Sequence, residues 1–459
     1  ELVVNWENDG KEIKNFKNDA GKQRSRPQNL GYYYKPGLTW STISSGKISF
    51  RYTENSIFET KGSMLFPHNR NNFDYINGFI NSSVFQHLIT IIAPTLDYHE
   101  GPVGKIPLKF GATNELNIQN NISISKSDWD SRETSWDFEK SPLLNNSSSL
   151  PTSYSNWEEK VTDDFFKLHK NEEELNRIFI DIYGLQDELN PDVPIKDITI
   201  LQEELDRAEL ESRNDELLVN KTGLPIKRDV VIKQLLSYAV GCFMGRYRLD
   251  KPGLNIAHPD PNDEELTAYI YNEHSFIIDD DAIIPMMGSN SQFSDDIVAR
   301  TKEFILMVWG EASLTENLNF INEALGENVE KYLTTKFWND HKKTYKKKPI
   351  YWQFSSSKGA FKVIVYMHRM NRFTVQKIRQ NYLFKQISWL EKQIEYLSQS
   401  EETLSKSDLK KLDKFRQDVI ECREYDLILK DLSDKQIEFD LDDGVTENYK
   451  LFESAVSKI

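Results

Sequence analysis

Sixteen side chains of this sequence are of the types, and at the spacings, that bind polyanions. Arg24, Arg26, Lys35, Lys47, Arg51, Lys61 and Arg70 interleave with Tyr32–Tyr34, Thr39, Trp40, Ser44 and Ser45. Arginine and lysine neutralise phosphates, while short hydroxyls and guanidinium groups reach base edges. Lys342, Lys343, Lys346, Lys347, Lys348 and Lys358 form a second set in the strongly basic stretch 331–379, which carries thirteen Lys/Arg against one acid, Asp340. Thr39, Ser44, Ser45 and these cations are the candidate DNA-binding residues. An ordinary exposed hairpin for the first set and a solvated loop for the second are the competing readings.

Chemistry beyond binding finds no support in the motifs. None of the twenty glycines has another at i+2, so there is no Gly-x-Gly cofactor loop, Walker-type loop or nucleophile elbow. None of the sixteen prolines neighbours another, so an Asn-Pro-Pro-aromatic loop, which grips a flipped adenine, is missing too. The eight histidines are scattered with no His-Glu-x-x-His, and His87 and His368 read as satisfied core or rim residues. Asp279-Asp280-Asp281 and Asp440-Leu441-Asp442-Asp443-Gly444 offer oxygen ligands for a divalent cation. The second run has its glycine one place early for a calcium loop and lacks the closing glutamate, and both read as turns or caps. No catalytic, cofactor-binding or metal-binding residue is assigned, and the chain by itself is expected to be inactive.

The balance of charge is uneven. The net charge is −15, yet residues 1–150 balance at 16 against 16, residues 151–330 carry 16 Lys/Arg against 37 Asp/Glu, and residues 380–459 carry 12 against 18. An acidic average does not exclude nucleic acid, because only nearby charges escape screening. A length of 459 residues predicts two or three domains. No apolar run approaches the roughly 20 residues that span a bilayer, so no membrane partner is expected. Cys242 and Cys422 lie 180 positions apart with no Cys-x-x-Cys, which fits a reducing cytoplasm and no structural zinc. The chain lacks an initiator methionine and reads as a piece of something longer.

The elements that must position the candidates follow an α+β pattern. Leu38–Ile43 and Lys47–Tyr52 read as a hairpin, the second run placing Ile48, Phe50 and Tyr52 on one face and Lys47, Ser49 and Arg51 on the other. Phe73–Ile92 switches to helical spacing. These make a mixed α/β domain over 1–110. An Asn/Ser-rich linker and docking segment spans 111–155, with Trp129 and Trp136 expected to dock on a neighbouring domain. An acidic, mainly helical domain follows over 156–330, with Leu175, Ile178, Phe179 and Ile182 as one stripe and a further helix from Arg228 to Arg248. Gly241 and Gly245 read as a close helix contact. Residues 331–459 hold the basic segment and an antiparallel helical hairpin, whose Leu383, Ile387, Leu390, Ile394 and Leu397 step at heptad spacing.

Several longer words resemble a known family. Tyr32-Tyr33-Tyr34-Lys35-Pro36-Gly37-Leu38-Thr39-Trp40-Ser41 and Lys61-Gly62-Ser63-Met64-Leu65-Phe66-Pro67 resemble the target-recognition segment of PglX-type adenine-specific DNA methyltransferases of BREX phage-defence systems. Phe79-Ile80-Asn81-Ser82 resembles the helix of that segment. Asp128-Trp129-Asp130-Ser131 with Thr134-Ser135-Trp136-Asp137-Phe138, Ser237 to Tyr247, Pro349 to Lys362, and Asp440 to Val445 are similar to further family signatures.

The resemblance covers nearly the whole chain and implies the C-terminal part of such an enzyme, with the S-adenosylmethionine loop and the Asn-Pro-Pro-aromatic loop upstream. For the parent it implies N6 methylation of adenine that marks self DNA, with S-adenosylmethionine as cofactor; none is expected in this chain. The implied partners are double-stranded DNA, the N-terminal methyltransferase domain and other phage-defence proteins. The leading expectation is DNA recognition and duplex clamping. The alternative is a protein-interaction scaffold working through the acidic helical region.

Overall fold

The computed structural model describes residues 4–44, 46–94, 96–112, 117–288, 291–399, 401 and 404–459. Ser45 lies outside the described residues. Helices take about 52% of the chain, and the strands form small antiparallel sheets, so the α+β expectation holds. Two compact units divide it: residues 1–129 with 160–225, and residues 130–159 with 226–459. Among the described residues no helix is long and apolar enough to cross a membrane.

The first unit is built on a three-stranded sheet ordered β2-β1-β3, with β1 Gly37–Ser41, β2 Arg51–Thr53 and β3 Gly62–Leu65. The pleat sends Leu38 and Trp40 inward and Thr39 and Ser41 outward. Gly37 is required by close approach, since a Cβ there would lie 3.1 Å from the carbonyl oxygen of Leu65. Under the sheet lie α1 Phe73–Ile80, α2 Ser83–Ile92 and the later part of α3 Leu150–Tyr183. Leu175, Phe179 and Ile180 of α3 share one core with Leu38, Trp40, Phe50, Phe79 and Phe85. Phe79 stacks on Tyr183 at 5.4 Å.

Two local expectations change. The single helix over Phe73–Ile92 breaks at Asn81, and Ser82 caps α2 by accepting from the Phe85 N–H. The strand expected over Lys47–Tyr52 keeps its alternation, with Ile48 and Phe50 buried, but only Arg51–Thr53 pairs with a neighbour. The break explains the missing pairing. Asn81 Oδ1 accepts from the Phe50 N–H at 2.9 Å, and Asn81 Nδ2 donates to the Phe50 carbonyl at 3.2 Å. One amide side chain takes the place of a neighbouring strand.

In the second unit α4 Arg228–Phe243 is buried on nearly every side. A three-stranded sheet is ordered β6-β8-β7, with β6 Ile283–Pro285, β7 Tyr351–Ser355 and β8 Lys362–Tyr366. A separate hairpin joins β4 Tyr269–Tyr271 to β5 His274–Phe276. The short helix α5 Phe337–Thr344 leads into β7. The expected helical hairpin is present as α6 Phe384–Ser398 and α7 Lys406–Lys435, closed by Arg423–Glu391 at 2.6 Å and Arg416–Glu401 at 2.8 Å. Trp129 and Trp136, expected to dock on a neighbouring domain, are 53% and 74% exposed.

Removing the strand substitute tests this account. Asn81→Ala leaves two partly buried backbone groups of Phe50 without partners, and should lower the unfolding free energy by about 1–3 kcal/mol in urea titrations. An unchanged midpoint would mean that water serves Phe50 equally well.

Candidate nucleic-acid interface

The candidates of the first unit gather only in part. Across the sheet Thr39 pairs with Arg51 on one side and with Met64 on the other, so these three side chains share the outward face. Arg51 Nη2 donates to Ser41 Oγ at 3.2 Å, and the Thr39 hydroxyl donates to the Ser63 carbonyl at 3.0 Å. Lys61 adjoins this row, its carbonyl accepting from the Thr42 N–H and its Nζ lying 3.9 Å from Asp97. Ser44 bonds locally to the carbonyls of Gly46 and Lys47. Lys35 lies 5.1 Å from the centre of the Tyr32 ring. Arg24, Arg26 and Arg70 are exposed.

Lys47 is differently placed. Its Nζ is 2.6 Å from Asp197, which already offsets its charge. Beside this pair, burial pushes the Glu172 carboxyl up to about 7, against the pull of Lys47, with Asp197 adding to the rise. Sequence separation hid both acids, which come from the acidic stretch after residue 150.

In the second unit five of the six lysines are consecutive in space. The last turn of α5 carries Lys342 and Lys343, and the chain then folds into a closed turn. The N–H groups of Lys346, Lys347 and Lys348 donate to the carbonyls of Lys343, Lys342 and Tyr345 at 2.9, 2.9 and 2.8 Å. Lys346 and Lys347 adopt left-handed φ values of 50° and 64°. Such a conformation costs an L-residue other than glycine roughly 1–2 kcal/mol. Lys343 pairs with Asp340 at 3.3 Å, and Lys342 reaches the Lys458 carbonyl at 2.9 Å. Lys346, Lys347 and Lys348 are exposed and make no ion pair with any described residue. Lys358 is apart from them, at the far end of β7, about 17 Å of strand away.

Other cations of the basic stretch are spent inside the unit. Arg369 donates to the carbonyls of Met244, Asp279 and Asp280. Arg379 pairs with Asp426 at 2.5 Å, Lys336 with Glu327 at 2.6 Å, and Arg372 with Glu438 at 3.4 Å.

The lysine turn rests on a buried charge. Arg246 follows the left-handed Gly245 at the end of α4, and its guanidinium donates to Tyr345 Oη at 2.6 Å and lies 3.4 Å from Glu133. It also stacks over the Tyr247 ring at 4.8 Å. Burial pushes Glu133 up while Arg246 pulls it down. Next to this cluster His341 Nε2 accepts from the Tyr351 N–H at 3.1 Å, and its ring stacks on Tyr351 at 4.5 Å. Burial and the nearby Arg246 charge hold His341 neutral. Gly241 admits this packing, because a Cβ would fall 2.6 Å from the Tyr247 ring. The glycine pair, read as a close helix contact, instead meets the turn and strand residues Tyr247 and Tyr351 at Gly241, and Ile278 and Ile256 at Gly245. Sequence reasoning missed Arg246 and Glu133 as anchors; an arginine directly after an apolar helix was the available signal.

The acidic runs form turns. Asp279 Oδ1 accepts from the N–H groups of Asp281 and Ile283, and Asp281 Oδ1 accepts from Ile283 N–H and Tyr382 Oη. Burial pushes both carboxyls up; Asp281 adds to the rise of Asp279, whereas Asp281 is raised further by Asp280 and pulled down by its hydrogen bond to Asp279. Asp440 caps the short turn Leu441–Asp443 through the Asp442 N–H.

Comparison with known proteins shows that this chain is similar to a part of adenine-specific methyltransferases. No family model matches the chain. It is 33% identical over 476 residues to the adenine-specific methyltransferase BrxX of Escherichia coli O9:H4 (strain HS), covering 98% of this chain and 38% of that protein. It is 34% identical over 473 residues to the adenine-specific methyltransferase PglX of Lacticaseibacillus casei (strain Zhang), covering 97% of this chain and 37% of the relative. The chain is thus a homologue of the C-terminal part of PglX/BrxX methyltransferases and spans under two-fifths of their length.

Two outcomes follow from the geometry. Tyr345→Phe removes an acceptor from a buried guanidinium, which should cost about 1–3 kcal/mol and speed amide exchange at Lys346–Lys348. Unchanged protection there would detach the turn from Arg246. Glu172, raised in the folded state, binds more protons folded than unfolded between about pH 4.5 and pH 7, so its contribution to stability is lost as pH rises through that window. The melting temperature of Glu172→Gln should therefore exceed that of the wild type increasingly from about pH 5 to about pH 8. A gap independent of pH would contradict the assignment.

Proposed function

We propose that this chain is the DNA-recognition and duplex-clamping part of an adenine-specific (N6) DNA methyltransferase of a BREX phage-defence system. The parent would take S-adenosylmethionine and methylate adenine with groups carried upstream of these residues. The outward sheet face of the first unit contributes base readout through Thr39 and Arg51, with Lys61 beside it. Lys342, Lys343, Lys346, Lys347 and Lys348 contribute phosphate contacts. Arg24, Arg26, Lys35, Ser44, Ser45, Arg70 and Lys358 remain accessory candidates, and Lys47 is weakened as one by Asp197.

One observation carries the reading. Three consecutive lysines without counter-ions among the described residues are held in a hydrogen-bonded turn, two of them in a conformation that an L-residue adopts at a cost. Backbone strain of this kind persists where the surroundings over-determine it, as at binding sites. A solvated loop would relax to ordinary backbone angles and let its lysines disperse. The relatives' activity on adenine supports a polyanionic partner of the nucleic-acid class.

Reversing the five lysines to glutamate should weaken duplex binding. It should also flatten the slope of log affinity against log salt by roughly 0.9 for each phosphate that is no longer neutralised. The effect should be similar on all sequences, because phosphate contacts carry no base information. Binding and slope that survive all five reversals would remove the turn from DNA. They would shift weight to the scaffold reading, which the net charge of −21 over residues 151–330 favours.

A further inference from the structure

Trp136 belongs to neither cationic surface, yet it is 74% exposed. The turn that carries it is fixed on both sides. Three residues before it, Glu133 lies 3.4 Å from the buried Arg246 guanidinium. Two residues after it, Phe138 is buried and meets the rings of Tyr238 and Tyr247 edge-on at 5.8 and 5.2 Å. Between these anchors the Ser135 N–H donates to the Arg132 carbonyl at 2.9 Å. The Ser135 hydroxyl donates to Asp130 Oδ1 at 2.7 Å and accepts from the Asp137 N–H at 3.3 Å. The Gly253 N–H donates to the Glu139 carbonyl at 2.9 Å, which brings Leu254, 56% exposed, beside the end of the same segment. A tryptophan on a loose loop can fold back onto its own protein. On this turn it cannot do so without breaking an anchor.

A large aromatic side chain displayed on an ordered backbone has the properties of an interface anchor. Tryptophan is enriched among the few residues that carry most of the binding energy, and prior order spares the entropy cost of docking. Charge argues against nucleic acid as the occupant. Residues 130–140 carry Asp130, Glu133, Asp137 and Glu139 against Arg132 and Lys140, a surface that repels a polyanion. Length argues for protein of the same polypeptide. The relatives extend well past the match, which covers 38% and 37% of them. A surface joined covalently to this chain meets the indole at an effective concentration that is roughly millimolar, far above that of a separate protein.

We propose that Trp136, with Leu254 beside it, is the anchor by which this chain docks on the remainder of a longer parent protein, the indole filling an apolar pocket there. This rests on the reading of the chain as part of a methyltransferase and adds to it the contact that holds the part to the rest. The contact joins protein to protein, so it forms without DNA and without S-adenosylmethionine.

The test compares the 459-residue chain with the full-length protein encoded by the same gene, both free of DNA. Hydroxyl radicals oxidise exposed indoles, and mass spectrometry reads the extent at Trp136 against a standard peptide. Moving the indole from an open turn to the desolvated centre of an interface should slow its oxidation by about fivefold or more in the full-length protein. Protection that arises only when duplex is supplied would overturn the proposal in favour of DNA. Protection already present in the 459-residue chain and lost on dilution would overturn it in favour of a second copy. A second measurement uses Trp136→Ser in the full-length protein. After limited proteolysis between the two portions, the variant portions should separate on gel filtration while the wild-type portions stay together. Variant portions that stay together would remove the anchor role. The same substitution in the 459-residue chain should leave its melting temperature unchanged, because an exposed side chain stabilises little. A longer gene product in which Trp136 oxidises as freely as in the chain sinks this proposal alone; a gene product no longer than these residues sinks the parent reading with it.

Discussion

A guanidinium taken out of water must be met by acceptors on every side it presents, because an unpaired buried charge is among the costliest groups a fold can hold. Arg246 meets this constraint with Tyr345, Glu133 and the face of Tyr247. The consequence is positional. Tyr345 immediately precedes Lys346, so the phenol that satisfies the buried cation also fixes where the lysine turn begins. His341, one turn of helix before, accepts from Tyr351 and sets how α5 meets β7. The three exposed lysines thus project from a segment pinned at both ends. Long flexible cations lose less entropy on binding when the backbone beneath them is already ordered.

The first unit solves a different problem, the satisfaction of a strand that has no strand beside it. Asn81 bonds both backbone groups of Phe50, Gln86 donates to the Ile48 carbonyl, and Trp40 donates to the Tyr98 carbonyl at 2.8 Å. Helix side chains and indole therefore complete the inner layer, and the sheet can stay small. Its other face is left free of packing duties, which is why hydroxyl, guanidinium and aliphatic groups can stand side by side there. A surface whose composition is not dictated by the core can vary between relatives without unfolding them, and that suits the proposed readout of DNA sequence.

Charge in this protein cannot be read as a simple count. Of the thirteen cations between residues 331 and 379, Arg369 ties a turn of aspartates to the end of α4, Lys336 pairs with the nearby Glu327, and Arg372 and Arg379 pair with acids from further along the chain. The exposed lysines gathered together are those of Lys342–Lys348, with the exposed Lys358 apart from them. Lys47 shows the same effect in the first unit, since Asp197, 150 residues away, sits on its ammonium group. Homology to a part of PglX/BrxX methyltransferases gives these surfaces a context. The match covers under two-fifths of each relative.

Local pattern settled much by itself. Alternation placed Ile48 and Phe50 inward and Arg51 outward, heptad spacing gave the hairpin of α6 and α7, and a glycine pair announced a close contact at Gly241. Each of these depends on residues within a few turns of one another, and the period of a helix or strand fixes their directions. The acidic shift after residue 155 marked a change of surface. It marked no change of core, since Leu175 and Phe179 of α3 complete the N-terminal one. Tertiary structure alone decided which cations are free, why Lys47–Phe50 is not a paired strand, and that Arg246 holds the lysine turn. Those outcomes turn on partners tens to hundreds of residues away, and only folding brings a carboxylate, an amide or a phenol to the atom it satisfies.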